Sequence, residues 1–437
     1  MSGLPKEWTS DRLKDVSEIN ASSLPANTDA DYEFDYLEIS NVNYHGIVDP
    51  KSIERLRYED APSRARRRLG VNCTAISSVR PNLQAVAFIE NTVDDLVCST
   101  GFNVVRPVAH KLAPKFTYYS LLSDGARQYF EATAKGVGYP AVDDKDFLSF
   151  EVPLPPLPEQ QRIATYLDAS CAAIDAAVSA KRSQLETLDS LRKSIIQMAV
   201  TQGLNADVEM KESGVEWLGA IPKHWKIEPL KRCGRLKGGA GFPPDEQGIT
   251  DAEVPFYKVK HLQSARYLTE CDNTVSYETA RRLGADIIPP NTIVFAKVGA
   301  ALLLNRFRIL TRPSCIDNNM MALLLERRCY RMAYFFHVMN LLDLAEFANQ
   351  GPVPSVNAGQ VGQIKVPIPP EDEQDHIVQF VEQKVDQFDE LVFNIEAQLS
   401  TLTAYRKSLI HESVTGQRRI TEADLLAIRK QNAGMPP

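Results

Sequence analysis

The chain carries the same text twice. "LRKSIIQMAVTQG" at 191–203 returns as "YRKSLIHESVTGQ" at 405–417. Arg192, Lys193, Ser194, Ile196, Val200 and Thr201 are answered 214 residues later by Arg406, Lys407, Ser408, Ile410, Val414 and Thr415. The offset holds without a gap back to Pro140 and Pro354, through Val152/Val366, Glu159/Glu373, Gln160/Gln374, Ile163/Ile377 and Asp175/Asp389. The front ends also match: "LPKEWTSDRLK" (4–14) answers "IPKHWKIEPLK" (221–231), with Trp8 opposite Trp225. Between these anchors the likeness fades. A period of 214 residues lies far above the roughly 20–50 of solenoid and propeller units. It means two copies of a whole domain plus the element that follows it, which suits a length of 437 residues and a prior of two or three domains.

The repeated element is legible. "PLPPLPEQQ" and "PIPPEDEQ" are proline punctuation, after which a helix starts. Beyond it Leu167, Cys171, Ile174, Val178, Lys181, Leu185, Leu188, Arg192 and Ile195 recur at alternating spacings of four and three. Val381, Val385, Phe388, Val392, Ile395, Leu399, Leu402, Arg406 and Leu409 repeat the rhythm. That is an a/d seam. Gly203 and Gly416 are stop signals. The spacing predicts two helices over about 159–201 and 373–415, each about 60 Å long at 1.5 Å per residue. A pseudo-twofold between the copies makes the pair antiparallel, with Leu185 and Leu188 facing the second helix and Leu399 and Leu402 facing the first. The polar seam positions Lys181, Arg192 and Arg406 weaken such a coil and fix its register.

The divergent middles mix strand-like runs ("LQAVAFIENTV", "NTIVFAKVGAALLL") with helix-like ones ("TYYSLLSDGARQYFEATAKG", "RMAYFFHVMNLLDLAEFANQ"). The fold class is therefore α/β or α+β: two globular domains separated by two long antiparallel coiled-coil helices, with an internal pseudo-twofold. The expected division is 1–155, first domain; 156–204, first helix; 205–368, linker and second domain; 369–417, second helix; 418–437, C-terminal tail.

Catalytic signatures are missing. There is no GxxxxGK[ST], GxGxxG, HExxH or GxSxG. "KGGAGFP" (237–243) reads as a flexible turn, and "VDDKD" (142–146) is too short for a nuclease site. The seven cysteines are scattered and never form CxxC, which argues against a disulfide framework and a zinc site and for a reducing cytoplasm. "MSGLPKEWTSDRLKD" lacks an apolar h-region, so no signal peptide is expected, and no apolar run reaches membrane-spanning length.

Net charge is −7, but it is unevenly spread. Residues 51–80 carry eight Lys/Arg against three acids, 223–237 six against one, and 297–331 seven against two. Residues 371–396 carry nine acids against one lysine. Such patches suit a protein that meets a polyanion with part of its surface, although ordinary solvated faces carry the same charges. The geometry adds to this. Two related but divergent modules on a fixed spacer would read two different half-sites, as the two identical halves of a homodimer read a palindrome.

Read whole, the sequence resembles the specificity (S) subunits of type I restriction–modification systems. "KESGVEWLGAIPKHWKIEPLKR" (211–232) is similar to the entry of such a subunit's second target-recognition domain. "VPLPPLPEQQRIATYLD" (152–168) and "VPIPPEDEQDHIVQFVE" (366–382) resemble the entries of the conserved helices, and "RKSIIQMAVTQGL" and "RKSLIHESVTGQ" their exits. "GVGYPAV" (136–142) and "GPVPSVN" (351–357) resemble the segments that close each recognition domain. The resemblance implies a non-catalytic subunit that binds a bipartite site in double-stranded DNA, holds two modification (methyltransferase) subunits and joins restriction (translocase/nuclease) subunits. It implies no cofactor in this chain, S-adenosylmethionine, ATP and Mg in the partners, no membrane, and a cytoplasmic location. "PPEDEQ" is more acidic than "PPLPEQQ", so the two ends need not dock partners alike. The competing reading is a coiled-coil scaffold joining two protein-binding domains, without nucleic acid.

The candidate DNA contacts are Arg64, Arg66, Arg67, Arg68, Arg80 and Lys135 in the first domain. In the second they are Lys258, Lys260, Arg281, Arg282, Lys297, Arg306 and Arg308. Arginine pairs bidentately with guanine edges and with phosphate, and half or more of such contacts go to the backbone. The repetition of Glu159, Gln160, Glu373 and Gln374 suggests exposed, equivalent docking surface for two copies of one partner. An acid in the first helical turn, where the macrodipole favours it, would look the same.

Overall fold

The computed structural model describes residues 4–42, 53–90, 95–263, 265–326, 330–349 and 351–433. The basic runs at 51–80 and 297–331 therefore lose Lys51, Arg327 and Arg328, which lie outside the described residues, as do the last four residues of the tail. The chain divides into two compact units, residues 1–183 with 395–437 and residues 184–394. The boundaries fall inside the long helices, so each unit holds a globular domain together with one stretch of each helix.

In the first unit, Thr9–Arg12 pairs antiparallel with Glu151–Leu154, which ties the start of the domain to the strand just before the long helix. One four-stranded sheet runs Ser17–Ile19, Phe102–Pro107, Thr74–Ser77, Val86–Phe88, all antiparallel. A second runs Glu54–Arg57, Glu33–Leu37, Leu96–Ser99, Ala65–Arg68, with its central pair parallel. The helix-like run after residue 113 is two helices, Pro114–Leu122 and Asp124–Thr133. Ser123 breaks it: its backbone is extended, and its hydroxyl accepts from the Ala126 N–H as an N-cap.

The second unit repeats the plan despite its divergent sequence. Lys226–Pro229 pairs antiparallel with Lys365–Ile368, as Thr9–Arg12 does with Glu151–Leu154. A sheet runs Gly234–Gly238, Met320–Leu325, Ile293–Ala296, Phe307–Leu310, Tyr267–Leu268, and a smaller one contains Val254–Tyr257 parallel to Cys315–Ile316. Antiparallel pairing dominates both units, so of the two expected classes α+β describes the domains. The run "NTIVFAKVGAALLL" is only partly strand: Ile293–Ala296 is extended, then the chain turns at Gly299 into the short helix Ala300–Leu303. "KGGAGFP" is no loose turn. A Cβ on Gly239 would lie 2.1 Å from the Asp317 carbonyl oxygen, so the glycine is there for close backbone approach.

The long helices are Leu157–Gln202 and Glu371–Val414, of 46 and 44 residues. They end at Gly203 and Gly416, both left-handed with φ of +78° and +75°. Each glycine lies against a tryptophan, Trp225 and Trp8 respectively. In the first unit Leu399 and Leu402 pack on a core that includes Ile174 and Val178 of the first helix. Leu185 and Leu188 are half-buried. The register is written in two ion pairs. Arg406 meets Asp175 at 3.0 Å in the first unit, and Arg192 meets Asp389 at 2.8 Å in the second. Asp389 and Arg406 are the repeat equivalents of Asp175 and Arg192. One pair is thus made twice with the copies exchanged, as antiparallel pairing of two helices with a repeated sequence requires.

Candidate nucleic-acid interface

In the first unit the basic candidates gather on two features. The strand Ala65–Arg68 sends alternate side chains to opposite faces. Arg66 lies over the Tyr58 ring at 4.5 Å and Arg68 over Tyr32 at 5.8 Å. Stacking of this kind fixes the plane of a guanidinium. Arg67 points the other way. It is half-buried, donates to the Phe102 carbonyl and, at 2.9 Å, to Asn103 Oδ1, and burial pulls its pKa below the ordinary value. Strand alternation turns it inward, as a hydrogen-bond donor within the domain.

The second feature is the loop 136–140. Lys135 and Ala141 bridge its base, and the Arg80 N–H donates to the Pro140 carbonyl at 2.7 Å. Its tip is unusually apolar for a surface, with Val137 100% and Tyr139 74% exposed. Arg80, itself left-handed at φ 49°, stacks on Tyr139 at 4.3 Å. Lys135 is held by Asp143 at 2.5 Å, and this contact depresses the Asp143 carboxyl to about 2. Backbone bonds from Thr100 to the Arg64 carbonyl and from Ser78 to the Gly101 carbonyl carry this margin on to Arg64, which pairs with Glu38.

The second unit builds the same loop from other residues. Asn349 and Ser355 bridge its base, the Gly299 N–H donates to the Pro354 carbonyl at 2.8 Å, and the Val356 N–H donates to the Lys297 carbonyl. Val353 is 59% exposed at the tip. Lys297 follows the strand Ile293–Ala296, and a Cβ on Gly238 would lie 3.2 Å from its Nζ. The Lys297 N–H donates to Asn319, whose turn neighbour Asp317 donates to the Tyr257 carbonyl next to Lys258. Lys258 reaches Gln247 at 2.8 Å. Lys260 pairs with Asp272, and this contact, with His261 second, holds the Asp272 carboxyl at about 2. His261, Cys271 and Asp272 bring their ligand-type atoms within 4.8 Å of one another, a cluster that cysteine spacing did not signal. His261 Nε2 lies 2.7 Å from Asp272 Oδ1, and the Cys271 thiol donates to the Asn273 and Phe256 carbonyls.

The remaining candidates lie on other elements. Arg281 and Arg282 end the helix Tyr277–Arg282, where Arg282 pairs with Glu246. Arg306 and Arg308 are half-buried, and burial, then Arg306, pulls Arg308 below its ordinary pKa. Sequence reasoning missed the aromatic partners Tyr32, Tyr58 and Tyr139. The glycine-flanked "GVGYP" was the available signal for the last.

Three of the four residues expected to be exposed docking surface are buried. Glu159 and Gln160 are 5% and 1% exposed and Gln374 is 1% exposed, while Glu373 is partly buried. The Trp8 indole donates to Glu159 at 3.2 Å, and the Trp225 indole to Glu373 at 2.8 Å. Gln160 accepts from the Ala113 N–H and donates to the Lys111 and Pro155 carbonyls. Gln374 accepts from the Arg331 N–H and donates to the Pro369 carbonyl. These four side chains recur because they lock each domain onto its own helix entry. That Trp8/Trp225 and Glu159/Glu373 recur together was the sign that they pair.

Comparison with known proteins agrees with this duplicated plan. The family model described as "Type I restriction modification DNA specificity domain" matches residues 5–187 and again 222–401. The type I restriction enzyme MjaIX specificity subunit of Methanocaldococcus jannaschii is 23% identical over 429 residues, covering 96% of this chain and 95% of that protein. The HindI specificity subunit of Haemophilus influenzae is 20% identical over 351 residues, 67% of this chain and 76% of that one. Among solved structures, a chain from work on complex assembly and conformational transition of the type I R-M system has a TM-score of 0.78 at 20% identity, covering 95% of this chain and 99% of its own. The HsdS subunit of Thermoanaerobacter tengcongensis has a TM-score of 0.55 at 20% identity, covering 95% and 98%.

Proposed function

Because this chain belongs to the family of type I restriction–modification DNA specificity subunits, we propose that its two units bind the two halves of one asymmetric target in double-stranded DNA. Its long helices set the gap between the halves and carry two methyltransferase subunits, with restriction subunits joining that assembly. The chain reads and positions. Methyl transfer from S-adenosylmethionine and ATP- and Mg-dependent translocation and cleavage belong to its partners, in the cytoplasm. Among the described residues no helix is long and apolar enough to cross a membrane.

One observation carries this reading: the two units share topology and loop closure but differ in the side chains around the loop. In one, Arg80, Lys135, Val137 and Tyr139 surround the tip. In the other, Lys297 and Val353 do. A common frame with different side chains is what two half-sites of different sequence need. Stacked arginines supply planar donors for base edges, paired lysines supply charge to phosphate, and an apolar tip suits insertion at a base step.

The test is exchange. The chain is assembled with its methyltransferase, residues 1–150 are replaced by those of a relative, and selected duplexes are sequenced. One half of the target changes and the other half and the gap stay. If both halves change, or if duplex DNA does not bind the assembled complex, the reading falls and the scaffold alternative stands.

A further inference from the structure

The two helix entries are equivalent in sequence but are covered differently. In the first unit the entry residues Arg162, Ile163 and Tyr166 lie under the chain's own C-terminal segment. Ile420 and Leu425 bury there, at 2% and 7% exposed, and Tyr166 is left 7% exposed. Arg162 Nε donates to the Ile420 carbonyl at 2.7 Å, and Arg418 donates to the Tyr166 hydroxyl at 3.1 Å. The segment then forms the helix Glu422–Ala433. Thr421 caps it: the Thr421 N–H donates to the Asp424 carboxylate, and the Asp424 N–H donates back to the Thr421 hydroxyl.

In the second unit the equivalent residues are His376, Ile377 and Phe380, and at this place the chain leaves a cavity of about 580 Å³. Leu204, Val208 and His224 complete its wall. Ile377 is as buried as Ile163, at 1% each. Phe380 is only partly buried, and Leu204 is 44% exposed.

We propose that this groove is the seat of an amphipathic helix from a partner protein, docked as the Ile420–Ala433 segment is docked on the first unit. The internal repeat says what fits. The occupant offers an aliphatic residue just before its first turn and a second one five positions on, as Ile420 and Leu425 do. It carries acids in that first turn, as Glu422 and Asp424 do, facing His376 where the first unit presents Arg162; His224 Nε2 is held by Glu373 of the same wall at 2.6 Å. The chain's own helix is not the occupant, since its anchors are already buried in the first unit. One of two equivalent grooves is thus filled in cis and the other is left for a helix in trans. This goes beyond DNA recognition, which requires neither groove.

The probe is a fluorescein-labelled peptide of residues 417–433, titrated into the full chain by anisotropy. It binds one to one. Phe380→Asp weakens it by at least roughly tenfold, as loss of a buried aromatic anchor does at interfaces. His376→Glu, at an exposed position that leaves the core intact, also weakens it by repelling the acidic turn. Tyr166→Asp in the first unit leaves it unchanged, and a chain ending at residue 416 binds two peptides. The proposal is overturned if the full chain does not bind the peptide, if Phe380→Asp and His376→Glu have no effect, or if the shortened chain binds a single peptide that Tyr166→Asp abolishes. Duplex affinity is measured in parallel and is independent of either result.

Discussion

The exchanged ion pair offers a controlled experiment within one chain. Asp175–Arg406 and Asp389–Arg192 are chemically the same contact, but the arginine side chains are 7% and 34% exposed and the aspartates 29% and 59%. Removing one partner of a buried pair costs about 3–5 kcal/mol, because the survivor is left charged and desolvated. An exposed pair contributes about 0–1 kcal/mol. Arg406→Ala strands Asp175, which keeps some access to water, so about 2–3 kcal/mol is expected. Asp175→Ala strands Arg406 itself, beside Tyr118 and Cys171, and belongs at the upper end, about 3–5 kcal/mol. Arg192→Ala should cost less than about 1 kcal/mol. Hydrogen exchange with mass spectrometry resolves the two places. Opening of 168–180 and 399–412 should accelerate by roughly thirtyfold or more in Arg406→Ala, at 1.4 kcal/mol per decade. The stretch 186–196 should change by less than roughly fivefold in Arg192→Ala. A paired replacement, Asp175→Leu with Arg406→Met, should recover most of the loss, since apolar isosteres commonly match a buried pair. Equal acceleration by Arg406→Ala and Arg192→Ala would refute the argument, because burial would then not decide what the contact is worth.

Two further outcomes are expected. His337 is 6% exposed with its Nε2 unpartnered among the described residues, and burial, then Arg266 and Arg192, depress its pKa to about 4. The unfolded chain takes up that proton near pH 6.5, so stability falls as pH drops from about 6.5 to about 4, by about 1.4 kcal/mol per pH unit. The difference in urea midpoint between wild type and His337→Phe should show that slope, and a flat difference would contradict it. In the DNA-bound assembly, Arg68→Ala should lower the slope of log K against log salt by about one. Arg67→Ala should leave that slope alone and destabilise the first unit by about 1–3 kcal/mol, because it removes a half-buried donor from the Phe102 carbonyl and from Asn103, which keeps only the Asn20 amide; the reverse pattern would undo the assignment of their faces.

Much of the frame was readable before any coordinates, and the reason is periodicity. Heptads put Ile174, Val178, Leu399 and Leu402 on one stripe whatever they touch, and the reading of 159–201 and 373–415 met helices at Leu157–Gln202 and Glu371–Val414. The shared topology of the middles was not readable. Strands of two to six residues in these sheets are too short for an alternation to stand out, and their partners lie far away in sequence. The site divided the same way. Charge located the basic runs, but only the strand's period of two separates Arg66 and Arg68 from Arg67. Repetition at Glu159, Gln160, Glu373 and Gln374 suggested exposed surface, but Glu159, Gln160 and Gln374 are buried: a repeated residue can serve a repeated internal contact as well as a repeated partner.

Repeated internal contacts let the rest of each domain differ between the copies without loss of the frame. Part of the lock between each domain and its helix is directed at backbone. Gln160 grips the Ala113 N–H, and Gln374 grips the Arg331 N–H. The two gripped residues share nothing but a peptide group, so a buried carboxamide satisfied in this way holds either one. The closing loops are fixed likewise: Arg80 in one copy and Gly299 in the other donate the same backbone bond to Pro140 and Pro354. Some side chains of the frame recur in both copies: Trp8 with Glu159, Trp225 with Glu373, and the exchanged Asp–Arg pairs of the helices; others do not, such as Tyr119 with Asp168 and Arg331 with Asp375. Substitution elsewhere on the domain surface leaves every one of these contacts intact. The side chains around the loops thus differ between the copies, while the register of the helices is held in each unit by the same Asp–Arg contact.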